Sequence, residues 1–226
     1  MTNLASLLAR HRAAFAPVLP TYPLGATHVA TLDFTAANSL LAQPERLRDT
    51  FVFDAVVDEM LTSQQATVGI GGYLENRVIY RRSPHFDDTT EARSLHLGVD
   101  VWVPAGTPVA APLAGLVHSL ADNNNFGDYG PTIIIRHELE GTPFFSLYGH
   151  LTRTDLAGLQ AGQTIAAGQI IAHVGPHPEN GDWPPHLHFQ LIGDMQGRWG
   201  DFPGVAAPSE QAYWASLCPD PMLVLT

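Results

Sequence analysis

Residues 105–117 read A-G-T-P-V-A-A-P-L-A-G-L-V, and residues 161–167 read A-G-Q-T-I-A-A. Each stretch opens with a glycine-containing turn signal and continues into a short apolar run, which is the pattern of a turn that leads into a strand. The similarity indicates a duplicated hairpin unit. The alternative is that two similar turn-strand units arose by chance.

Similar short β-rich runs, separated by Gly and Pro, continue on both sides of these stretches from Gly69 onward. Many short strands with frequent Gly and Pro signals predict a mainly β fold with α decoration, an antiparallel sandwich or barrel-like domain. The predicted strands are 77–81, 99–103, 108–111, 115–120, 131–137, 143–149, 164–166, 170–174 and 186–192, with another expected over 29–33. Short helices are predicted over residues 4–15, 54–64 and 209–217.

Composition excludes several classes of function. The chain has 226 residues and a net charge of −11, which argues against a nucleic-acid or anionic-membrane surface. All eleven basic residues are arginines, so Schiff-base, P-loop and biotin- or lipoate-carrying lysines are excluded. The only cysteine, Cys218, cannot form an intramolecular disulfide.

The sequence contains neither an apolar run long enough to span a membrane nor the pattern of a secretory signal. The expected location is therefore the cytoplasm. The oligomeric state is not predicted by any pattern in the sequence.

Four histidines and one aspartate stand in contexts that suit metal chemistry. In P-P-H-L-H-F-Q-L, His186 and His188 alternate with apolar residues, as in a strand with one polar face. The two imidazoles point the same way but lie roughly 7 Å apart along a strand. We therefore expect one of them to be a metal ligand and the other to act on water or substrate.

The stretch R-S-L-H-L-G-V-D-V contains His96 and Asp100. In a straight strand these two residues would be about 13 Å apart, too far for one ion. Gly98 allows the backbone to bend between them. We therefore predict a bent loop that enters a strand at Val99.

Two histidines and a carboxylate with an open fourth position are typical of a catalytic zinc site. Such a site polarises a carbonyl and lowers the pKa of bound water to about 7. Because the sequence has no H-E-x-x-H, a histidine is the expected general base. The same ligands also describe a non-haem iron oxygenase, although that class typically uses H-x-D rather than H-x-x-x-D spacing.

Three motifs in order resemble the M23 (lysostaphin- or LytM-like) metallopeptidase family. They are His96-Leu97-Gly98-Val99-Asp100, Tyr148-Gly149-His150-Leu151 and His186-Leu187-His188-Phe189. The resemblance covers about residues 93 to 192. It implies a duplicated-hybrid-motif β fold, one zinc ion bound by His96, Asp100 and His188, and a catalytic role for His150 and His186.

The resemblance also sets the expected domain organisation. We predict an N-terminal extension over 1–90, an M23-like metallopeptidase domain over 91–193 and a C-terminal extension over 194–226. Flanking segments such as G-D-F-P-G-V-A-A-P-S resemble the M23-like domain found fused to class III aminotransferases.

The expected activity is zinc-dependent hydrolysis of a peptide-type bond in a peptide or a small amino-acid conjugate. Arg93, Tyr148 and Trp183 are further candidates for substrate binding. A catalytically silent M23-like module that binds a metal or ligand remains the main alternative, and an iron oxygenase is the second.

Overall fold

The fold is described by a computed structural model that covers residues 3–25, 27–82 and 91–225. Residue 90, where the predicted N-terminal extension ends, lies outside these ranges. The chain is mainly β, as predicted, with few short helices. The strands are β1 (Val29–Leu32), β2 (Val68–Gly71), β3 (Leu95–His96), β4 (Val99–Trp102), β5 (Pro108–Ala110), β6 (Gly115–Asn123), β7 (Gly130–Leu139), β8 (Thr142–Gly149), β9 (Thr164–Ile165), β10 (Ile170–His173), β11 (His186–Ile192) and β12 (Val205–Ala206).

Eight strands form one open sheet in the order β1-β2-β4-β11-β8-β7-β6-β9. Its pairings are antiparallel except for β1 with β2, which is parallel. The sheet is therefore mixed, and it does not close into a barrel. Two strands from the predicted N-terminal extension, β1 and β2, belong to the same sheet as the central strands.

The two similar sequence stretches adopt the same turn. Gly106 has φ +82° and Gly162 has φ +84°, so each occupies the left-handed region that glycine tolerates. The strands that follow pair with each other: β5 pairs with β10, and β6 pairs with β9. The repeat noted in the sequence thus corresponds to a pair of structurally matched units.

The helices are α1 (Leu4–Arg10), α2 (Thr50–Ser63), α3 (Arg153–Leu156) and α4 (Gln211–Leu217). Helix α2 begins earlier than predicted, because the side chain of Asp49 caps it by accepting hydrogen bonds from the backbone amides of Phe51 and Val52. None of the described helices combines the length and the apolar character that crossing a bilayer would require.

One strand prediction is wrong. The described structure has no strand at residues 77–81; Ile79–Arg82 is instead a 3-10 turn. The backbone amide of Val78 donates to the carbonyl of Phe34, and that of Arg81 donates to the carbonyl of Val78. The apolar run fits a buried turn because Val78, Ile79 and Tyr80 all pack in one apolar cluster.

The central sheet separates the main core from a second layer. On one face, residues such as Val99, Leu187 and Phe189 form the main core. On the other face, an N-terminal cluster that includes Phe53 of α2 packs against Trp102 and Trp183. A C-terminal cluster that includes Phe202 covers another part of the same face. Between these two clusters lies a cleft.

Candidate metal centre

The register of three neighbouring strands aligns the polar side chains of the cleft. Asp100 of β4 lies directly opposite His188 of β11, and His188 lies opposite Gly149 of β8. His186 lies opposite Trp102 in the same way. Because directly paired residues point to the same face of a sheet, these side chains share the cleft face.

His96 reaches this face from a bend. It ends β3, and Leu97 and Gly98 separate it from the first residue of β4. The segment is therefore a bent loop that enters a strand at Val99, as the sequence predicts. The bend brings His96 Nε2 to 3.3 Å from Asp100 Oδ1.

Three ligand-type atoms form a compact triangle. His188 Nδ1 lies 3.0 Å from Asp100 Oδ1 and 3.0 Å from His96 Nε2. Ligand atoms around a tetrahedral zinc ion, each about 2.0–2.1 Å from the metal, are roughly 3.3 Å apart. All three side chains are at most 5% exposed. Among the described residues, this is the one group of three or more His, Cys, Asp or Glu side chains with metal-binding geometry.

Hydrogen bonds from the opposite ring atoms fix both histidines in the tautomer that a metal ion requires. His96 Nδ1 lies 3.1 Å from the carbonyl of Gly72, so its N–H donates there and leaves Nε2 as a lone-pair donor. His188 Nε2 lies 3.0 Å from Oε1 of Gln190. The amide nitrogen of Gln190 donates to the carbonyl of Pro203 at 3.0 Å, which orients Oε1 toward His188.

His150 and His186 form a second pair beside the triangle. Their ring centroids are 4.2 Å apart. Each ring donates its Nδ1–H to a backbone carbonyl at 2.8 Å, His150 to Asn180 and His186 to Pro184. The same tautomer results in both rings, so each Nε2 offers a lone pair. The Nε2 of His186 lies 3.9 Å from Asp100 Oδ2.

The backbone of His150 is held in the left-handed region, at φ +62°. A non-glycine residue there is uncommon, and such strain concentrates at functional sites. Both of its backbone groups are bonded: its amide donates to the carbonyl of Tyr129, and its carbonyl accepts from Gly175, each at 2.8 Å. These contacts fix the point where β8 ends and His150 enters the cleft.

Burial keeps three imidazoles of the cleft neutral, those of His96, His150 and His186. It lowers the pKa of His96 to about 3 and that of His186 to about 4, and it lowers the pKa of His150 well below its ordinary value. Burial also tends to raise the pKa of Asp100, but His96 and Arg77 outweigh it and hold that pKa well below its usual range. A carboxylate beside neutral imidazoles is the protonation state that binds a metal.

Arg77 is a buried cation on the far side of Asp100. Its Nη1 donates a hydrogen bond to Asp100 Oδ2, and its Nε donates to Glu75 Oε2 at 2.7 Å. The other carboxylate oxygen of Glu75 accepts from the backbone amide of Phe34 at 3.0 Å. Asp100 therefore presents Oδ1 to the imidazoles and Oδ2 to Arg77.

These groups line a cleft with a volume of about 250 Å³. Trp183 forms part of its wall and donates its indole N–H to the carbonyl of Asp128 at 3.1 Å. Tyr129, Arg93 and Arg198 also line the cleft. The lining thus combines aromatic surface with arginine side chains.

The structure brings together most of the residues singled out in the sequence. His96, Asp100, His150, His186 and His188 all line the cleft. Two of the three candidates for substrate binding, Arg93 and Trp183, line it as well.

Tyr148 is a correction to the substrate-binding prediction. Its side chain is fully buried in the main core, where it packs against Phe189 and accepts a hydrogen bond from Ser146 Oγ at 2.9 Å. The reason is strand alternation: Gly149 faces the cleft opposite His188, so its neighbour Tyr148 faces away.

Sequence reasoning missed Arg77, Glu75, Tyr129 and Gln190. Gln190 had a signal, because it continues the polar alternation of His186 and His188 along β11. Arg77 and Glu75 had none, because they lie between β2 and β3, far from Asp100 in sequence, and Arg77 meets Asp100 only through the tertiary fold. The same holds for Tyr129, whose ring lies 5.0 Å from that of His188.

Comparison with known proteins identifies the segment that contains the three motifs. Residues 94–198 match the model of peptidase family M23. An uncharacterized metalloprotease of Haemophilus influenzae is 36% identical over 96 residues, which are 42% of this chain and 18% of that protein. The DD-carboxypeptidase/endopeptidase Mpg of Neisseria meningitidis is 33% identical over 96 residues, 42% of this chain and 20% of that protein. The L-Ala--D-Glu endopeptidase of Bacillus subtilis is 33% identical over 107 residues, 45% of this chain and 31% of that protein.

Two solved structures are also similar over part of the chain. A putative peptidase M23 from Pseudomonas aeruginosa has 25% identity and a TM-score of 0.37, over 57% of this chain and 43% of that one. The catalytic domain of lysostaphin from Staphylococcus simulans has 24% identity and a TM-score of 0.37, over 54% of this chain and 80% of that one. The chain spans only about a fifth to a third of the length of the curated relatives it matches. It contains, at residues 94–198, a segment that matches peptidase family M23.

Proposed function

We propose that this chain is a zinc-dependent hydrolase of the M23 type that cleaves a peptide-type bond. The observation that carries the proposal is the triangle of His96 Nε2, Asp100 Oδ1 and His188 Nδ1, with sides of 3.0 to 3.3 Å. Both imidazoles have their other nitrogen engaged, so the donor set suits a single zinc ion. The names of the relatives, which include a metalloprotease and endopeptidases, agree with this proposal.

When bound, zinc would supply Lewis acidity that polarises a substrate carbonyl and acidifies a water molecule. His150 and His186 are neutral, and each offers the Nε2 lone pair beside the triangle. One of them accepts the proton of the attacking water, and the resulting imidazolium then donates that proton to the leaving amine. The Nε2 lone pair of the other ring accepts a hydrogen bond from the same water and orients it.

The substrate that suits the cleft is a small peptide or amino-acid conjugate that carries a carboxylate. A volume of about 250 Å³ is below the ~300–1,000 Å³ typical of sites for drug-sized ligands. Arg93 and Arg198 line the cleft of a chain whose net charge is −11. The Bacillus subtilis relative is named for an L-Ala--D-Glu bond, so an Ala-D-Glu peptide is the first substrate to assay.

The activity test compares the parent chain with His150→Ala after both have been loaded with zinc. We expect the parent to release an amine from an L-Ala-D-Glu peptide and His150→Ala to lose that activity while zinc remains bound. A matched L-Ala-D-Gln peptide, which lacks the side-chain carboxylate of glutamate, should have a higher KM. In Arg198→Met, the KM for the acidic peptide should approach that for the amide.

Other outcomes point to the alternatives. A parent that binds one zinc but cleaves none of a panel of short peptides and N-acyl amino acids supports the silent binding module. Iron rather than zinc in the isolated protein, measured by elemental analysis, supports the oxygenase.

A further inference from the structure

We infer that Arg77 is a positioning residue, which holds one oxygen of Asp100 so that only the other faces the metal site. The inference rests on the proposed zinc function, but it concerns a residue outside the segment that matches peptidase family M23. In this account the N-terminal part of the chain completes the metal site.

The contacts divide the two carboxylate oxygens of Asp100 between two tasks. Oδ1 lies within 3.3 Å of a ring nitrogen of both His96 and His188. Oδ2 accepts the hydrogen bond from Arg77. A carboxylate whose second oxygen is committed in this way binds a metal through one oxygen, which keeps the number of protein ligand atoms at three.

The guanidinium is well suited to this task because it is rigidly held. Its side chain has no exposed surface, and it is held on the other side by Glu75, whose own second oxygen accepts from the amide of Phe34. Another nitrogen of Arg77, Nη2, lies 3.4 Å from the carbonyl of Gly72, the group that accepts from His96. Arg77 therefore contacts one proposed ligand, Asp100, and the carbonyl that supports another, His96.

Space for the guanidinium is provided by Gly71, which lies opposite Asp100 in the sheet. A Cβ atom at this position would lie 2.6 Å from Nη2 of Arg77. Strand β2 with Gly71 and the segment that contains Glu75 and Arg77 all precede residue 94.

The charge around Asp100 determines how the test must be designed. Removal of Arg77 alone would leave Glu75 and Asp100 as neighbouring anions, and the extra negative charge would itself attract a metal ion. The double variant Arg77→Met, Glu75→Gln removes one positive and one negative charge and leaves the net charge unchanged. A matched control is Arg136→Met, Glu138→Gln, which removes an exposed ion pair with the same sequence spacing on β7.

Two measurements on the full chain test the inference. Zinc affinity, measured by competition with a chromogenic chelator, should fall about 10- to 100-fold in the site double variant, as is typical when an outer-shell partner is lost. Cobalt(II) in the parent should give the intense visible bands of four-coordinate metal. In the double variant these bands should weaken as Oδ2 becomes a ligand. The control double variant should match the parent in both measurements.

Arg77→Lys keeps the positive charge but replaces the planar guanidinium with an ammonium group. It is the variant that tests the inference if the double variant fails to fold. Circular dichroism identifies the folded variants. Weakened cobalt bands in Arg77→Lys support the inference, whereas bands and zinc affinity equal to the parent's in a folded variant overturn it. A parent that binds neither metal overturns the proposed function and the inference together.

Discussion

His186 is stacked on Trp102, with ring centroids 4.2 Å apart and an interplanar angle of 20°. The two residues are direct partners across β4 and β11, so the sheet register itself produces the stack. The carbonyl of Pro184 binds the Nδ1–H of the same ring. A flat aromatic surface and one hydrogen bond thus set the direction of His186 Nε2.

The first prediction concerns this stack. Trp102→Leu should lower kcat for peptide hydrolysis about 10-fold or more, because His186 loses the surface that orients it. Trp102→Phe keeps a stacking partner and should retain more activity. Zinc content should stay at the parent level in both variants, and a leucine variant with parental kcat would rule out the orienting role.

Gly98 gives a second prediction. A Cβ atom at this position would lie 2.5 Å from Cε1 and 2.6 Å from Nε2 of His188. Gly98→Ala should therefore displace that ring and weaken zinc binding, measured by titration with a chelator competitor. Gly25→Ala is the matched control, because a Cβ there meets nothing within 4 Å. Equal zinc affinities in the two variants would contradict the close approach.

A third prediction concerns pH and lies outside the metal site. His137 donates its Nδ1–H to the carbonyl of Ala114 at 3.0 Å and lies 2.7 Å from Ser146 Oγ. Burial lowers its pKa from 6.5 to about 4. Because the unfolded chain takes up the proton first, the stabilising contribution is complete above pH 6.5 and is lost as the pH falls through about 4.

The size of this effect is about 3 kcal/mol, since one pKa unit corresponds to roughly 1.4 kcal/mol. Between pH 7 and pH 4, the free energy of unfolding measured with denaturant should fall by about 3 kcal/mol more for the parent than for His137→Gln. The control is His173→Gln, whose side chain is 44% exposed. Parallel pH profiles for the parent and His137→Gln would disprove the assignment.

The sequence predicted much of this architecture because local signals determined it. The bend at Gly98, the alternation from His186 to Gln190, and the paired turns at Gly106 and Gly162 are all readable from spacing and residue type. Asp100 and His188 lie side by side because two strands meet in one register, and the motif order indicated that meeting.

The rest depends on contacts between distant segments. An apolar run at residues 77–81 reads as a strand, but Ile79–Arg82 is a 3-10 turn, and Ile79 and Tyr80 pack in the same cluster as Trp102. Tyr148 is separated from His150 by Gly149 alone, yet its side chain lies in the core because Gly149 is the residue that faces the cleft. Neither outcome is visible in spacing, since each requires knowing which face of the sheet is covered.

The measurement that tests the central claim most directly is zinc stoichiometry and affinity for the parent, His188→Ala and His173→Ala. The parent and His173→Ala should each bind one zinc ion per chain with equal affinity, because His173 pairs with Asp155 away from the cleft. His188→Ala should lose the tight site. Zinc bound to His188→Ala as tightly as to the parent would contradict the three-residue site and the hydrolase proposal built on it.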